Sequence, residues 1–346
     1  MEALCQEIEQ RRWQTEDGKR HAPKSVYFGG GTPSLLTMEE LRLLVGRLSE
    51  SYDMSRLREV TLEANPEDLT PDYVEALAGM RFFDRLSIGV QSFRDSDLRL
   101  MNRNCNSAQT LKALENARRA GFENISVDLI YGLPGQGTEE WKENLRRLEG
   151  VAEGVNHLSA YALSVEPGTM LSRQIETGRL KPADEDTVME EYEMLLEWCE
   201  KNGLRQYEIS SFSRPGKESF HNSRYWDRTP YMGLGAAAHS FDGQRRRWNV
   251  ADIETYCEGV LNGKDYSEEE VLSPTDAHNE YLMTALRTTR GIEKEKIAKE
   301  HRDALGREME RLVKAGMMVE TESHWVPTKE GLVHADGMAS ELFILE

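Results

Sequence analysis

Two rhythms take turns along the chain from residue 25 onward. Short runs rich in β-branched and aromatic residues occupy Ser25–Phe28, Glu59–Glu63, Leu86–Val90, Ile125–Ile130 and His157–Leu163, each followed by Gly, Pro or polar residues. Between them apolar positions spread to helical spacing behind helix-start chemistry. Thr37 with Glu40 reads as a capping box, Thr70-Pro71 as an N-cap with proline at N1, and Thr138-Glu139-Glu140 as an acidic first turn. Strands alternating with helices predict βαβ units and a parallel sheet, open or closed into a barrel. A sixth run, Gln206–Phe212, follows a helical pattern at 184–202. There Val188, Tyr192, Leu195 and Cys199 share one face, and Gly203 is placed to end the helix.

The alternation breaks at residues 213–250, a stretch rich in Gly, Ser, Asn and aromatics. Arg205, Arg214, Lys217, Arg224, Arg228 and Arg245 to Arg247 make this neighbourhood a basic island. From about 271, helical patterns at 274–288 and 293–315 lead into runs at Met318–Thr321 and Trp325–Thr328 and a final helix, the order of a small winged-helix-type module. The expected division is a barrel core at 1–212, a bridging segment at 213–270 and a C-terminal domain at 271–346.

Composition narrows the function. In 346 residues, 43 Lys and Arg face 61 Asp and Glu, a formal charge of −18. That balance argues against broad nucleic-acid binding and against docking on an anionic membrane. No run of apolar residues is long enough to span a bilayer, and the charged N-terminus lacks the apolar core of a signal peptide. A cytoplasmic protein is expected. Cys5, Cys105, Cys199 and Cys257 lie too far apart for a disulfide framework or a metal knuckle.

In parallel α/β architectures working residues sit where strands end. The first run ends in Gly29-Gly30-Gly31-Thr32-Pro33, where glycines permit positive φ and close backbone approach. Alone, such a triplet is better explained by a tight turn. The second ends in Glu63-Ala64-Asn65-Pro66 and the third in Gly89-Val90-Gln91-Ser92-Phe93, with Arg103 beyond it. The fourth carries Asp128 and Ile130 and the fifth Tyr161-Ala162-Leu163. Together they offer backbone donors, two carboxylates, an amide and an arginine. That set suits a small zwitterion with an amine, a carboxylate and hydroxyls.

In family order the chain carries GGGTPSLL, LEANP, GVQSF, DLIYGLPGQ, YALSVEPGT, YEISSF, HNSRYW and GLGAAAHSF. This set resembles the radical S-adenosylmethionine superfamily, in the branch of HemW-type heme chaperones and oxygen-independent coproporphyrinogen III oxidases. The resemblance implies a partial (β/α)₆ barrel with a small C-terminal domain. It implies that Gly30, Gly31 and Thr32 meet the methionyl end of S-adenosylmethionine, Glu63 its amino group and Arg103 its carboxylate. Gln91 and Asp128 are implied on the ribose side, and Ile130 and Ala162 against the adenine or sugar.

One departure stands out. The family's Cys-x-x-x-Cys-x-x-Cys loop, which holds a [4Fe–4S] cluster, does not occur in this sequence. The expectation is a barrel lacking its first strand, with the cluster loop upstream of Met1, and a chain that does not itself perform reductive cleavage. Relatives usually carry Gly-Arg-x-His where this chain has Asn102-Arg103-Asn104-Cys105.

The last constellation is His221-Asn222-Ser223-Arg224-Tyr225-Trp226, with His239 further on. It resembles the HNxxYW motif associated with heme handling in HemW-type proteins. A neutral imidazole suits an axial site on heme iron, aromatics stack on a macrocycle, and arginines pair with propionates. A turn, core aromatics and a solvated hairpin tip would explain the same residues. His221, Asn222, Tyr225, Trp226 and His239 are the heme-binding candidates, His221 the possible iron ligand. The function implied is a heme chaperone delivering heme to acceptor hemoproteins. The alternatives are an oxygen-independent coproporphyrinogen III oxidase or an inactive fragment.

Overall fold

The computed structural model describes residues 1–12, 18–151 and 154–344. The five predicted runs form strands β1 (Ser25–Phe28), β2 (Glu59–Ala64), β3 (Arg85–Gln91), β4 (Asn124–Tyr131) and β5 (Val155–Ala162), parallel and adjacent in chain order. They curl into a half-barrel. Helices between them cover one face, entered where the sequence predicts. Thr37 Oγ1 accepts from Glu40 N at 3.2 Å while Glu40 Oε2 accepts from Thr37 N at 2.9 Å. Thr70 caps the helix Pro71–Gly79, and Gly203 ends Glu185–Lys201 with φ 74°.

The sixth run is corrected. It forms two antiparallel strands, β6 (Arg205–Glu208) and β7 (Ser211–Ser213), giving the order β1-β2-β3-β4-β5-β7-β6 with β7 antiparallel to β5. The chain reverses at Ile209-Ser210, where Glu208 Oε2 accepts from Ser210 N at 3.1 Å. No Gly, Pro or Asn marks this turn, so the run reads as continuous. Ile209 N donates to Arg287 O and Thr289 N to Tyr207 O, which fastens the C-terminal domain to this sheet edge.

Side chains along the sheet divide by parity. Val60, Leu62, Ala64, Leu86, Ile88, Val90, Val127, Leu129, Leu158 and Phe212 join helix residues such as Leu41, Leu77, Trp141 and Leu195 in the main core. The partners on the other face are polar: Ser87 beside Ser126, Ser126 beside His157, Asp128 beside Ser159, and His157 beside Ser213. Parallel strands buried on both faces are normally near-continuous apolar runs. Here the inner face is a polar hollow instead.

Beyond the barrel, β8 (His239–Phe241), β9 (Arg245–Asn249) and β10 (Ser267–Val271) form a small antiparallel sheet. The N-terminal helix Glu2–Gln10 packs between barrel and bridging segment through Glu7, which is fully buried. Glu7 accepts from Gly235 N at 2.7 Å, Asn249 Nδ2 at 2.8 Å and Tyr256 Oη at 2.7 Å.

The C-terminal helical pattern at 293–315 resolves into β11 (Ile292–Glu293), a 3₁₀ turn Lys294–Lys296 and the helix Lys299–Lys314. With β12 (Met318–Glu320) and β13 (His324–Pro327) it completes a three-stranded sheet in the order β11-β13-β12, the arrangement of a winged helix. Among the described residues no helix is long and apolar enough to cross a membrane.

Candidate functional site

The rim of the half-barrel is built on glycines. Gly30 and Gly31 take φ of 69° and 94°, a region open to glycine at little cost. This turns the chain so that Gly30 N donates to Glu63 Oε2 at 3.2 Å. Thr32 precedes a 3₁₀ turn, its carbonyl accepting from Leu35 N. Glu63 Oε1 accepts from Tyr27 Oη at 2.7 Å.

Gln91, Arg103 and Asn65 converge over Gly89. A Cβ at Gly89 would lie 3.0 Å from Gln91 Nε2 and 3.2 Å from Arg103 Nη2. Arg103 Nη1 donates to Asn65 Oδ1 at 2.8 Å. Gln91 has φ 64°, unusual for a residue with a side chain, at the point where the β3–β4 register shifts. Ile130 and Ala162 lie at the same end of β4 and β5, with Ile130 beside Tyr161.

Asp128 sits deeper in the hollow. Ser87 Oγ lies 3.4 Å from both its oxygens, and Ser159 bonds it as well. Burial pushes its carboxyl up to about 6, against the pull of the Ser159 bond and the Arg85 charge. Ser126 Oγ and Tyr207 Oη each lie 2.7 Å from a ring nitrogen of His157, whose burial keeps it neutral. Arg85 is 1% exposed, and its Nε and Nη1 have no hydrogen-bond partner among the described residues.

His221 also reaches this hollow. It lies in the first turn of the helix Phe220–Trp226, which docks its N-terminus on Glu59: Phe220 N, His221 N and Ser219 Oγ donate to that carboxylate at 2.8, 2.9 and 3.2 Å. Its Nδ1 lies 3.0 Å from Ser25 Oγ and its Nε2 3.0 Å from Tyr225 Oη. Burial lowers its pKa to about 4, so the ring is neutral at physiological pH. Both partners are hydroxyls, so the pairing accommodates the neutral ring with its proton on either nitrogen.

The remaining members of the motif are less central. Asn222 N completes the helix cap on Ser219 Oγ, and Trp226 is half-buried at the helix end. His239 is exposed and stacks on Trp248 at 6.3 Å, without a hydrogen bond or ring contact to the His221 group.

The basic island is corrected in character. Arg246 and Arg228 both pair with Glu280, at 2.8 and 3.2 Å, and Arg224 and Arg290 with Asp227, at 2.9 and 2.5 Å. Arg224 also covers Phe220, and β9 with its three arginines lies against the glutamates of β10. Much of this charge is neutralised within the fold rather than presented to an anionic ligand. Asp227 lies within the basic stretch, but Glu268 to Glu270 and Glu280 lie past residue 250 and escape a local reading of charge.

Sequence reasoning passed over Ser25, Tyr27, Glu59, Arg85, His157 and Tyr207. Their signal was present as polar residues at every second position of otherwise apolar strands, for example Glu59-Val-Thr61-Leu-Glu63 and His157-Leu-Ser159-Ala-Tyr161.

An amine, a carboxylate and sugar hydroxyls would each find a partner at the rim, so its donor set fits S-adenosylmethionine. The cysteines do not fit an iron–sulfur cluster. Cys199 is buried in the main core with its thiol pushed far up by burial, and Cys105 is buried beside Thr110. Among the described residues no three His, Cys, Asp or Glu side chains gather as a metal site.

Comparison with known proteins agrees with this geometry. Residues 9–148 match the Radical SAM superfamily and residues 272–334 the HemN C-terminal domain. Heme chaperone HemW of Lactococcus lactis is 35% identical over 273 residues, covering 79% of this chain and 71% of the relative. Heme chaperone HemW of Bacillus subtilis is 34% identical over 282 residues, covering 80% and 73%. Coproporphyrinogen III oxidase (HemN) from Escherichia coli shares the fold, with a TM-score of 0.83 at 22% identity over 99% of this chain and 82% of that one. Barrel, rim and relatives place one conclusion beyond the fold: the chain belongs to the HemW family within the radical S-adenosylmethionine superfamily.

Proposed function

We propose that this protein is a heme chaperone, binding heme through His221 and passing it to acceptor hemoproteins, with a separate site for S-adenosylmethionine at the barrel rim. The observation that carries it is the state of His221: neutral, with Ser25 Oγ at Nδ1 and the hydroxyl of the exposed Tyr225 at Nε2. In the tautomer with its proton on Nδ1, Ser25 holds that nitrogen and the Nε2 lone pair takes iron once Tyr225 leaves, as in a metal-ligating histidine. Heme is the cargo, and Tyr225 must swing away for iron to reach Nε2. Tyr225 and Tyr231, edge to face at 4.8 Å, supply aromatic surface beside it. The name borne by the curated relatives supports the same reading.

At the rim, Glu63 would take the amine of S-adenosylmethionine, Arg103 its carboxylate, and Gln91 and Asp128 the ribose hydroxyls. Gly30, Gly31 and Thr32 would line its methionyl end, and Ile130 and Ala162 its adenine or sugar. The superfamily's cluster has no fitting ligand set among the described residues.

The test is a hemin titration followed at the Soret band. His221→Ala should weaken binding by about tenfold or more, while His239→Ala binds as the wild type does. Equal affinity in wild type and His221→Ala removes His221 as the ligand, and a wild type without hemin binding removes the chaperone reading.

A further inference from the structure

Tyr27 touches both constellations. Its hydroxyl donates to Glu63 Oε1 at 2.7 Å, while its ring lies 4.8 Å from the His221 imidazole with 25° between the planes. Gly29 makes this placement possible, because a Cβ there would fall 2.5 Å from Tyr27 Cε1 and 3.1 Å from Glu63 Cδ. Ser25, two residues back on the same strand and face, holds the imidazole at Nδ1. One short strand therefore fixes His221 by its edge and by its face, and the second hold is anchored at the rim.

We propose that Tyr27 couples the two ligand sites: it is a positioning residue for His221 whose own anchor is Glu63, so an amine-bearing nucleoside on Glu63 weakens heme binding at His221. This rests on the function proposed above. The physical reason is competition for one carboxylate. Glu63 already accepts from the Tyr27 hydroxyl and from Gly30 N, and an ammonium entering there forms a charge-assisted bond that outcompetes a neutral phenol. With its anchor weakened, the Tyr27 ring no longer fixes the imidazole face, and heme must order His221 as it binds. Coupling of this kind is reciprocal, so heme weakens nucleoside binding by the same factor.

The experiment titrates hemin into wild type and Tyr27→Phe, each with and without saturating S-adenosylmethionine, whose own binding is followed by calorimetry. Tyr27→Phe keeps the ring and removes the bond to Glu63. S-adenosylmethionine should weaken hemin binding to the wild type by about fivefold or more, within the usual range of coupling between sites. Tyr27→Phe should start near that weakened affinity and change by less than about twofold when S-adenosylmethionine is added. A wild type that binds both compounds with hemin affinity unchanged or tightened overturns this inference and leaves the functional reading standing. So does a Tyr27→Phe protein that retains the full effect. A wild type that binds neither compound overturns the reading and the inference together.

Discussion

Asp128 should be a residue whose removal makes the protein more stable. Its carboxyl rises from 3.8 in the unfolded chain to about 6 in the folded one, chiefly through burial. The folded state therefore holds this proton more tightly than the unfolded chain, and the associated stability is fully present at low pH and lost as pH rises through that interval. At about 1.4 kcal/mol per unit, the charged group costs on the order of 3 kcal/mol near neutral pH and about 1 kcal/mol near pH 4.5. Asp128→Asn removes the charge and keeps the size and most of the hydrogen bonding to Ser87 and Ser159. Urea unfolding followed by circular dichroism should show the variant more stable by about 2–3 kcal/mol near pH 7.5, with the gain shrinking toward acid. A variant less stable than wild type near pH 7.5, or a gain that does not change with pH, would refute the reasoning. Calorimetry on the same variant should show weaker S-adenosylmethionine binding, the mark of a residue kept for function at the expense of stability.

Two other perturbations test the packing around the site. Gly29→Ala drives a methyl into the Tyr27 ring; we expect a loss of about 1–3 kcal/mol in urea unfolding and weaker hemin binding, since the ring must leave His221. Glu7→Ala strands Gly235 N and Tyr256 Oη in the interior and leaves Asn249 Nδ2 with only its bond to Gly235 O. It should destabilise the protein by about 3 kcal/mol or more and bring proteolytic cleavage near the N-terminal helix, whereas an unchanged unfolding midpoint would mean that water replaces the carboxylate there.

The parts of the fold legible in the sequence were those specified locally. The capping residues Thr37, Glu40 and Thr70 and the helix-ending Gly203 act within a few residues, and each does so in the structure. The split of the sixth run escaped because Ile209-Ser210 turns without Gly, Pro or Asn, held by Glu208 and by Arg287 from the C-terminal domain. The rim was readable from its strand ends, since Gly30, Glu63 and Gln91 each follow a recognisable run. The inner face was harder to see. Its partnerships, such as Ser126 with His157 or Glu59 with the helix at Phe220, span from 31 to more than 160 residues of sequence. Local pattern names the polar positions but not whom they meet.

The parity of the strands also governs how this protein can change. Cohesion belongs to one set of residues and ligand chemistry to the set interleaved with it, so a library confined to Ser87, Ser126, Ser159 and Ser211 can explore new cargo while the scaffold persists. The same interleaving forbids sliding: one step of register would drive Glu63, Arg85 and Asp128 against the helices and turn Leu62, Leu86 and Leu129 toward the hollow. Sequence drift is thus permitted position by position and barred strand by strand.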